Sequence, residues 1–252
     1  MNTFEKDYYI GAGESDAFNL CRPSTVLLML QDAATTHAES IGYGRNEIIE
    51  KYNSVWVLSR LYYKLNKPIR YSDTVHIKTW NRGLKGVSWY RDFLISVNGE
   101  EVGKASNMWV LVDIDARKIK RPDASLAETD AKSALTIPGY DISLNKIKAP
   151  EILSEAFVKT IRYSDLDVNN HVNNTKYADL CCDAISFEEM HNKFLSEFQI
   201  NYQREGLIND RITLKTADIT DSEKYVCGIN ENDNGSTFFE ATLSFEKTEK
   251  KE

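Results

Sequence analysis

Residues 161–177, IRYSDLDVNNHVNNTKY, place carboxylate, amide and imidazole side chains together directly before a helix-like segment. A carboxylate, alone or with an imidazole, can take a proton from water. Short amides and the N–H groups of a helix start can hold an oxygen atom that gains charge. The stretch therefore contains the side chains with which a protein activates water. Asp and Asn are also common caps and turn residues, which would explain Asp165, Asp167, Asn173 or Asn174 taken singly.

The composition indicates a folded protein. The 252 residues suffice for one large domain or two of about 125 residues. Hydrophobic residues make up 42% of the chain and aromatic residues 11%, so a packed core can form. The formal charge of −7 argues against nucleic acid or an anionic membrane as the main partner.

The cysteines and the N-terminal residues bear on the cellular location. The cysteines lack CxxC spacing, and Cys181 directly precedes Cys182, which favours reduced thiols over disulfides. The first residues, MNTFEKDYYIGAG, have no signal or transit character, and no apolar run approaches the roughly 18 residues of a membrane span. We expect a soluble, cytoplasmic protein.

An internal repeat organises the chain. Residues 22–44 have helical periodicity and are followed by strand-like segments, and this order recurs with a helix predicted over 173–187. At a constant offset of 137, residues 67–80 align with 204–217, with Asp73 on Asp210, Lys78 on Lys215 and Thr79 on Thr216. Each unit is predicted to be a strand, a long helix and an antiparallel meander wrapped around that helix.

The strand and turn signals support the same repeat. Asn98-Gly99 and Asn234-Gly235 are matching hairpin turns. Residues 122–150 lack sustained periodicity and are predicted to be a long connection. Strands are predicted near 4–10, 55–67, 73–80, 87–97 and 102–113, and again within 157–163, 196–203, 210–220, 224–230 and 237–247.

The duplicated helix and sheet, the motif DLDVNNHVNNTKY and the later NYQREG resemble the hotdog thioesterases. The chain most resembles the acyl-[acyl-carrier-protein] thioesterase family, in which two hotdog units in one chain release fatty acids from the carrier protein. The resemblance implies an α+β tandem (double) hotdog. Its non-catalytic unit, 1–121, would form the acyl pocket, with a linker at 122–150 and the catalytic unit at 151–252. The absence of a transit peptide leads us to expect a bacterial member.

The resemblance places the catalytic residues of the family on Asp167, Asn169, His171 and Glu205. In that assignment Glu205 and His171 activate water. Asn169 positions the water or the carbonyl oxygen, and Asp167 orients the site. Single-hotdog thioesterases suggest Asp167 as the base or nucleophile instead, and the sequence does not separate these roles. Family members often have a cysteine after the glutamate, but Gly206 stands here, which favours attack by water over a covalent cysteine route.

The first unit has no counterpart of the polar set. The helices align at an offset of 151 when Asp32 is placed on Asp183. At the two offsets the residues opposite the set are apolar: Pro68 for Glu205, Phe18 for Asn169 and Leu20 for His171. We therefore expect one active site per chain.

Other functions are less well supported by the sequence. An acyl-CoA thioesterase would use the same site, and a non-catalytic acyl-binding hotdog would have no reason to keep it. Hotdog hydratases usually have DxNPxH, whereas here the proline is missing and His171 comes one position early. His37 is expected to be packed, and His76 and His191 form no cluster with metal-ligand spacing. We therefore expect no metal and no cofactor.

The expected partner is an acyl carrier protein that bears a fatty acyl chain, and neither nucleic acid nor membrane is expected as a partner. An acidic carrier would be attracted to the basic run at 117–121, although such a run is more often simply solvated surface. The sequence leaves a homodimer open.

Overall fold

Alternating burial along the strands defines the fold. In the computed structural model, which describes residues 2–140, 142–233 and 235–248, Val75, Ile77 and Thr79 of one strand are fully buried, as expected for side chains that alternate between two faces. The strands are Thr3–Tyr9 (β1), Ser54–Leu65 (β2), Thr74–Lys85 (β3), Ser88–Val97 (β4), Glu100–Asp113 (β5), Ser154–Thr160 (β6), Lys193–Tyr202 (β7), Arg211–Asp218 (β8), Glu223–Asn230 (β9) and Thr237–Lys247 (β10).

The helices are fewer and mostly short. No helix in the described part of the chain has both the length and the apolar character needed to cross a membrane. Their bounds are Pro23–Ser40 (α1), Arg45–Tyr52 (α2), Ala124–Ser133 (α3), Lys176–Asp183 (α4) and Phe187–Met190 (α5), and a single 3-10 turn covers Tyr163–Asp165.

The chain divides into two compact units. The first comprises Met1–Tyr9, Met29–Tyr63 and Ser72–Leu144. Its strands have the order β1-β3-β4-β5-β2, and β3 is antiparallel to both β1 and β4, as β4 is to β5. Its core includes Phe93 and Leu111, both fully buried.

The second unit comprises Ile10–Leu28, Lys64–Tyr71 and Asn145–Glu252. Its strands have the order β7-β10-β9-β8-β6, and β10 is antiparallel to both β7 and β9, as β8 is to both β9 and β6. Phe198 and Leu243 are fully buried in its core, as is Cys181 on α4. The chain is therefore an α+β protein whose strands pair antiparallel within each unit. The segments 10–28 and 64–71 belong by contact to the second unit, although they lie in the first half of the sequence.

The strand predictions are confirmed to within a few residues, and the prediction of one helix over 173–187 is wrong. The helix expected over 173–187 is divided into α4 and α5, because Asn173 forms a side-chain turn with Thr175 and Ser186 caps α5. The connection expected at 122–150 contains α3, whose N-terminus is capped by the Asp123 carboxylate accepting from the Leu126 amide. Helix α2 also was not predicted from the sequence.

One of the two hairpin turns is confirmed. Asn98 and Gly99 both have positive φ, 52° and 80°, as the tight turn between β4 and β5 requires. In the matching pair, Asn234 lies outside the described residues, while Gly235 has a φ of 78°. The division at 1–121, 122–150 and 151–252 stays a prediction.

Close packing around Gly228 in β9 yields a stability prediction. A Cβ at this position would lie 2.5 Å from Cε1 of Phe239 and 2.9 Å from Cγ2 of Ile212. We expect Gly228→Ala to lower the free energy of unfolding by about 1–3 kcal/mol, because the core must shift to admit the methyl group. Urea denaturation measures the change.

Gly13→Ala is the control, since nothing lies within 4 Å of a Cβ at Gly13. Its effect should stay within about 0.5 kcal/mol. A Gly228→Ala variant as stable as this control would contradict the packing described for β9.

Candidate active site

A short hydrogen-bonded turn presents the polar residues of 167–171. Leu166 and Val172 form an isolated antiparallel bridge, and inside it the amide of Asp167 donates to the carbonyl of His171 over 2.8 Å. The amide of Asn170 donates back to the carbonyl of Asp167 over 3.0 Å. Asn170 has a φ of 60°, a left-handed conformation that Asn tolerates better than most residues. The turn is thus fixed by the backbone.

The Asp167 carboxylate takes part in holding this turn. Its Oδ1 accepts a hydrogen bond from the amide of Asn169 over 2.8 Å. Such side-chain-to-backbone bonds two residues apart are the reason that Asp is frequent in turns. The contact fixes the backbone that carries Asn169, which agrees with an orienting role for Asp167.

Glu205 reaches the turn from the segment after β7. The amide of Val172 donates to the carbonyl of Gly206 over 2.9 Å, which fixes this segment against the end of the turn. Nε2 of His171 then lies 3.5 Å from Oε2 of Glu205, with the two side chains 32% and 49% exposed. The pair is close enough to share a proton after modest tightening, and it is open to water.

The other acidic and amide residues of the stretch support the backbone. Asp165 is buried, its Oδ2 accepts from the Arg162 amide over 2.8 Å, and Nζ of Lys159 lies 3.3 Å away. Oδ1 of Asn173 accepts from both the amide and the hydroxyl of Thr175. The cap-and-turn interpretation is therefore confirmed for Asp165 and Asn173.

The same turn occurs a second time, 151 residues earlier in the chain and within the same compact unit. Ser15 and Cys21 form its antiparallel bridge, and the amide of Asp16 donates to the carbonyl of Leu20 over 2.8 Å. The amide of Asn19 donates to the carbonyl of Asp16 over 3.2 Å, and Asn19 has a φ of 60°. Each of these features has its counterpart in the turn at 167–171.

The correspondence extends to side chains and to the neighbouring segment. Oδ1 of Asp16 accepts from the amides of Phe18 and Leu20 over 2.8 and 2.9 Å. The amide of Cys21 donates to the carbonyl of Ile69 over 2.9 Å, matching the bond between Val172 and Gly206 at the offset of 137. Both offsets inferred from the sequence are confirmed by these bonds. In this copy the positions of the three candidate catalytic residues are occupied by Phe18, Leu20 and Pro68.

Sequence reasoning singled out Gly206 only for the absence of a cysteine and did not connect it with Tyr177. A Cβ at Gly206 would lie 2.8 Å from the Tyr177 hydroxyl and 2.9 Å from Cγ2 of Val172. That hydroxyl is buried and makes no hydrogen bond of ordinary geometry among the described residues, although the backbone N–H of Gly206 is near enough to interact with it. Burial raises the pKa of Tyr177 above its ordinary value of 10.0, and the backbone N–H of Gly206 opposes the rise in part.

Three thiols of the second unit, Cys181, Cys182 and Cys227, are poor nucleophiles. Burial raises the pKa of Cys181 well above its ordinary value, raises that of Cys182 to about 12 with help from Asp179 and Asp183, and raises that of Cys227. Because the thiolate is the reactive form, these residues are mostly unreactive near neutral pH.

The remaining histidines lie elsewhere. His37 is buried, with Nδ1 2.8 Å from Nη1 of Arg91, so the expectation that it is packed is confirmed. His76 pairs with Asp7 at the surface, and Nδ1 of His191 lies 2.7 Å from the side-chain amide of Asn192.

Two family models match most of this chain. The family model for the acyl-ACP thioesterase N-terminal domain matches residues 1–128, and the model for the C-terminal domain matches residues 152–247. The chain belongs to the acyl-ACP thioesterase family. Asn169, His171 and Glu205 all lie in the part of this family member that matches the C-terminal domain.

Curated relatives are plant proteins. A chloroplastic acyl-[acyl-carrier-protein] hydrolase of Cuphea viscosissima is 30% identical over 215 residues, which are 80% of this chain and 52% of that protein. Oleoyl-acyl carrier protein thioesterase 2, chloroplastic, of Arabidopsis thaliana is 27% identical over 79% of this chain and 58% of its own length. This acyl-ACP thioesterase family member thus spans little more than half the length of these two relatives.

Two solved structures share the fold of this acyl-ACP thioesterase family member. An acyl-ACP thioesterase from Bacteroides thetaiotaomicron superposes with a TM-score of 0.85 at 22% identity, over 97% of this chain and 98% of the other. The 12:0-ACP thioesterase from Umbellularia californica gives a TM-score of 0.85 at 20% identity, over 98% of each chain. At these identities the comparison establishes the fold.

The paired turns yield a prediction about the two aspartates. We expect Asp167→Ala and Asp16→Ala each to lower the free energy of unfolding by about 1–3 kcal/mol, because each leaves turn amides without their charged acceptor. Asp167→Asn keeps an acceptor oxygen and should lose less than Asp167→Ala. Urea denaturation of the variants checks both expectations. An Asp167→Ala protein as stable as wild type would contradict the turn-holding role.

Proposed function

We propose that this protein hydrolyses the thioester of fatty acyl-[acyl-carrier-protein], which releases the free fatty acid and ends chain elongation. One observation carries the proposal. Two turns with the same hydrogen bonds occur in the chain, and only the second bears Asn169 and His171 and lies beside Glu205. Because the first turn forms the same hydrogen bonds without these side chains, the fold does not need them for stability.

The proposed reaction uses water as the nucleophile. The His171–Glu205 pair takes a proton from a water molecule as its oxygen attacks the thioester carbonyl carbon. The carbonyl oxygen gains charge, and the side-chain amide of Asn169 can donate a hydrogen bond to it or to the water. The tetrahedral intermediate then breaks its C–S bond, and the pair returns the proton to the departing thiolate. Free acid and carrier thiol are the products.

Asp167 is assigned to orientation rather than to proton transfer. Its Oδ1 already accepts from the Asn169 amide. Asp16 likewise accepts from backbone amides in the first turn, which lacks the candidate catalytic side chains. The rival role, with Asp167 as base or nucleophile, gives no reason for an aspartate at position 16. An aspartate that only accepts hydrogen bonds from the turn backbone explains the residue at both positions.

The finer architecture is part of the same proposal. We infer a tandem hotdog, in which each unit is a helix wrapped by antiparallel strands, with a non-catalytic unit at 1–121 that shapes the acyl pocket and a catalytic unit at 151–252. The helix of the catalytic unit is the short α4. Support comes from the antiparallel strand pairing in each unit and from the repeated turn. The connection at 122–150 includes α3.

The carrier protein is the proposed partner. Exposed Arg117, Lys118 and Arg121 could attract an acidic carrier, whereas Lys120 is already engaged with the Tyr52 carbonyl and lies 3.7 Å from Asp113. The proposal includes a cytoplasmic location, and a homodimer is the assembly to test first.

Free-thiol release from acyl-carrier-protein substrates of graded chain length tests the function. We expect the wild-type protein to release thiol, and Glu205→Gln and His171→Ala to reduce kcat by roughly 100-fold or more, because each removes a group that moves the proton. Circular dichroism checks that the variants are folded. No release from any carrier-protein substrate would contradict the assignment, and acyl-CoA esters would then be tested on the same proteins.

Asp167→Asn in the same assay separates the two roles of Asp167. Because Asn keeps an acceptor oxygen for the Asn169 amide, an orienting residue should retain activity within about tenfold of wild type. A loss as large as that of Glu205→Gln would instead assign Asp167 to proton transfer or to nucleophilic attack.

A further inference from the structure

The Tyr177 hydroxyl has no evident structural reason to be where it is. It is buried at the start of α4 and makes no hydrogen bond of ordinary geometry among the described residues. It lies against Gly206, whose backbone N–H interacts with it and which follows Glu205 directly. Buried polar groups are nearly always paired in native proteins, so an exception of this kind calls for an explanation. Phenylalanine would fill most of the same space without leaving a hydroxyl unpaired.

We call the turn at 16–20 the inactive turn, because it lacks the candidate catalytic side chains, and the turn at 167–171 the active turn. The inactive turn shows which side chains fill the space that Tyr177 and Gly206 occupy beside the active turn. At the offsets of 151 and 137, Tyr177 corresponds to Val26 and Gly206 to Ile69. Val26 and Ile69 are almost fully buried, at 1% and 2% exposure, so two aliphatic side chains complete the packing there. The backbone bond to the carbonyl of Ile69 has the same 2.9 Å length as the one to Gly206.

The surroundings of the active turn therefore differ from those of the inactive turn at two facing positions. A larger, hydroxyl-bearing side chain stands on the helix, and no side chain stands on the facing segment. The two changes are matched, since a Cβ at Gly206 would lie 2.8 Å from the Tyr177 hydroxyl and would force one of the two to shift, and a valine at 177 beside Gly206 would leave a void. The exchange brings the phenol oxygen against the residue that follows Glu205.

We propose that Tyr177 and Gly206 form a positioning pair that sets the distance of Glu205 from His171. This inference rests on the proposed function, in which those two side chains share a proton. Contact with the Tyr177 hydroxyl fixes the Gly206 backbone on one side, and the bond from the Val172 amide fixes it on the other. The carboxylate of Glu205 is one residue away and 3.5 Å from the imidazole. Small displacements at such a distance can change rates by large factors.

Gly206→Ala, Tyr177→Phe and the double variant test the pair. Two quantities are measured: the ring-proton NMR resonance of His171 at one fixed pH, assigned by its loss in His171→Ala, and kcat and KM on an acyl-carrier-protein substrate. We expect Gly206→Ala to move the resonance and to lower kcat roughly ten- to hundredfold, with KM within about twofold. Adding Tyr177→Phe removes the obstructing oxygen and should return both readouts part of the way to wild type.

Ile69→Val is the matched control at the equivalent position of the inactive turn. It should lower the melting temperature slightly and leave the His171 resonance and kcat unchanged. An unmoved resonance in Gly206→Ala, or a double variant no better than Gly206→Ala, would overturn the positioning pair. Absence of thiol release by the wild-type protein would instead contradict the proposed function, and the resonance would still decide whether the pair sets the position of Glu205.

Discussion

One backbone hydrogen bond, from the amide of Val172 to the carbonyl of Gly206, joins the two segments that carry the candidate catalytic residues. His171 precedes the donor by one residue, and Glu205 precedes the acceptor by one. The bond therefore fixes the separation of imidazole and carboxylate to within the freedom of two side chains. Because both side chains are partly exposed, water can reach the pair that this bond assembles.

The duplicated turn separates what the fold requires from what the chemistry requires. Asp16 and Asp167 both hold turn amides, so an aspartate at this position belongs to the scaffold. The His171–Glu205 pair belongs to the second turn, and Leu20 and Pro68 stand at the corresponding positions of the first. The exchange to Tyr177 and Gly206 lies between these classes, because it changes the packing of the scaffold beside Glu205, the candidate catalytic carboxylate.

The sequence was most informative where the signal is local. Strands followed from alternation of side chains, and the hairpin at Asn98-Gly99 from residues that tolerate positive φ. The extent of α4 was overestimated because the side-chain turn of Asn173 competes with the helix. The role of Tyr177 was missed because it depends on contact with Gly206, 29 residues later, and periodicity carries no information about such distances.

The most direct test of this account is to give the active turn the side chains of the inactive one. The variant Asn169→Phe/His171→Leu keeps Asp167 and every backbone hydrogen bond of the turn. Thiol release from acyl-carrier-protein substrates is measured together with the melting temperature. The account predicts a protein that melts near the wild-type temperature and releases no thiol above the uncatalysed rate. Retained hydrolysis in the folded variant would contradict the claim that this turn is the active site.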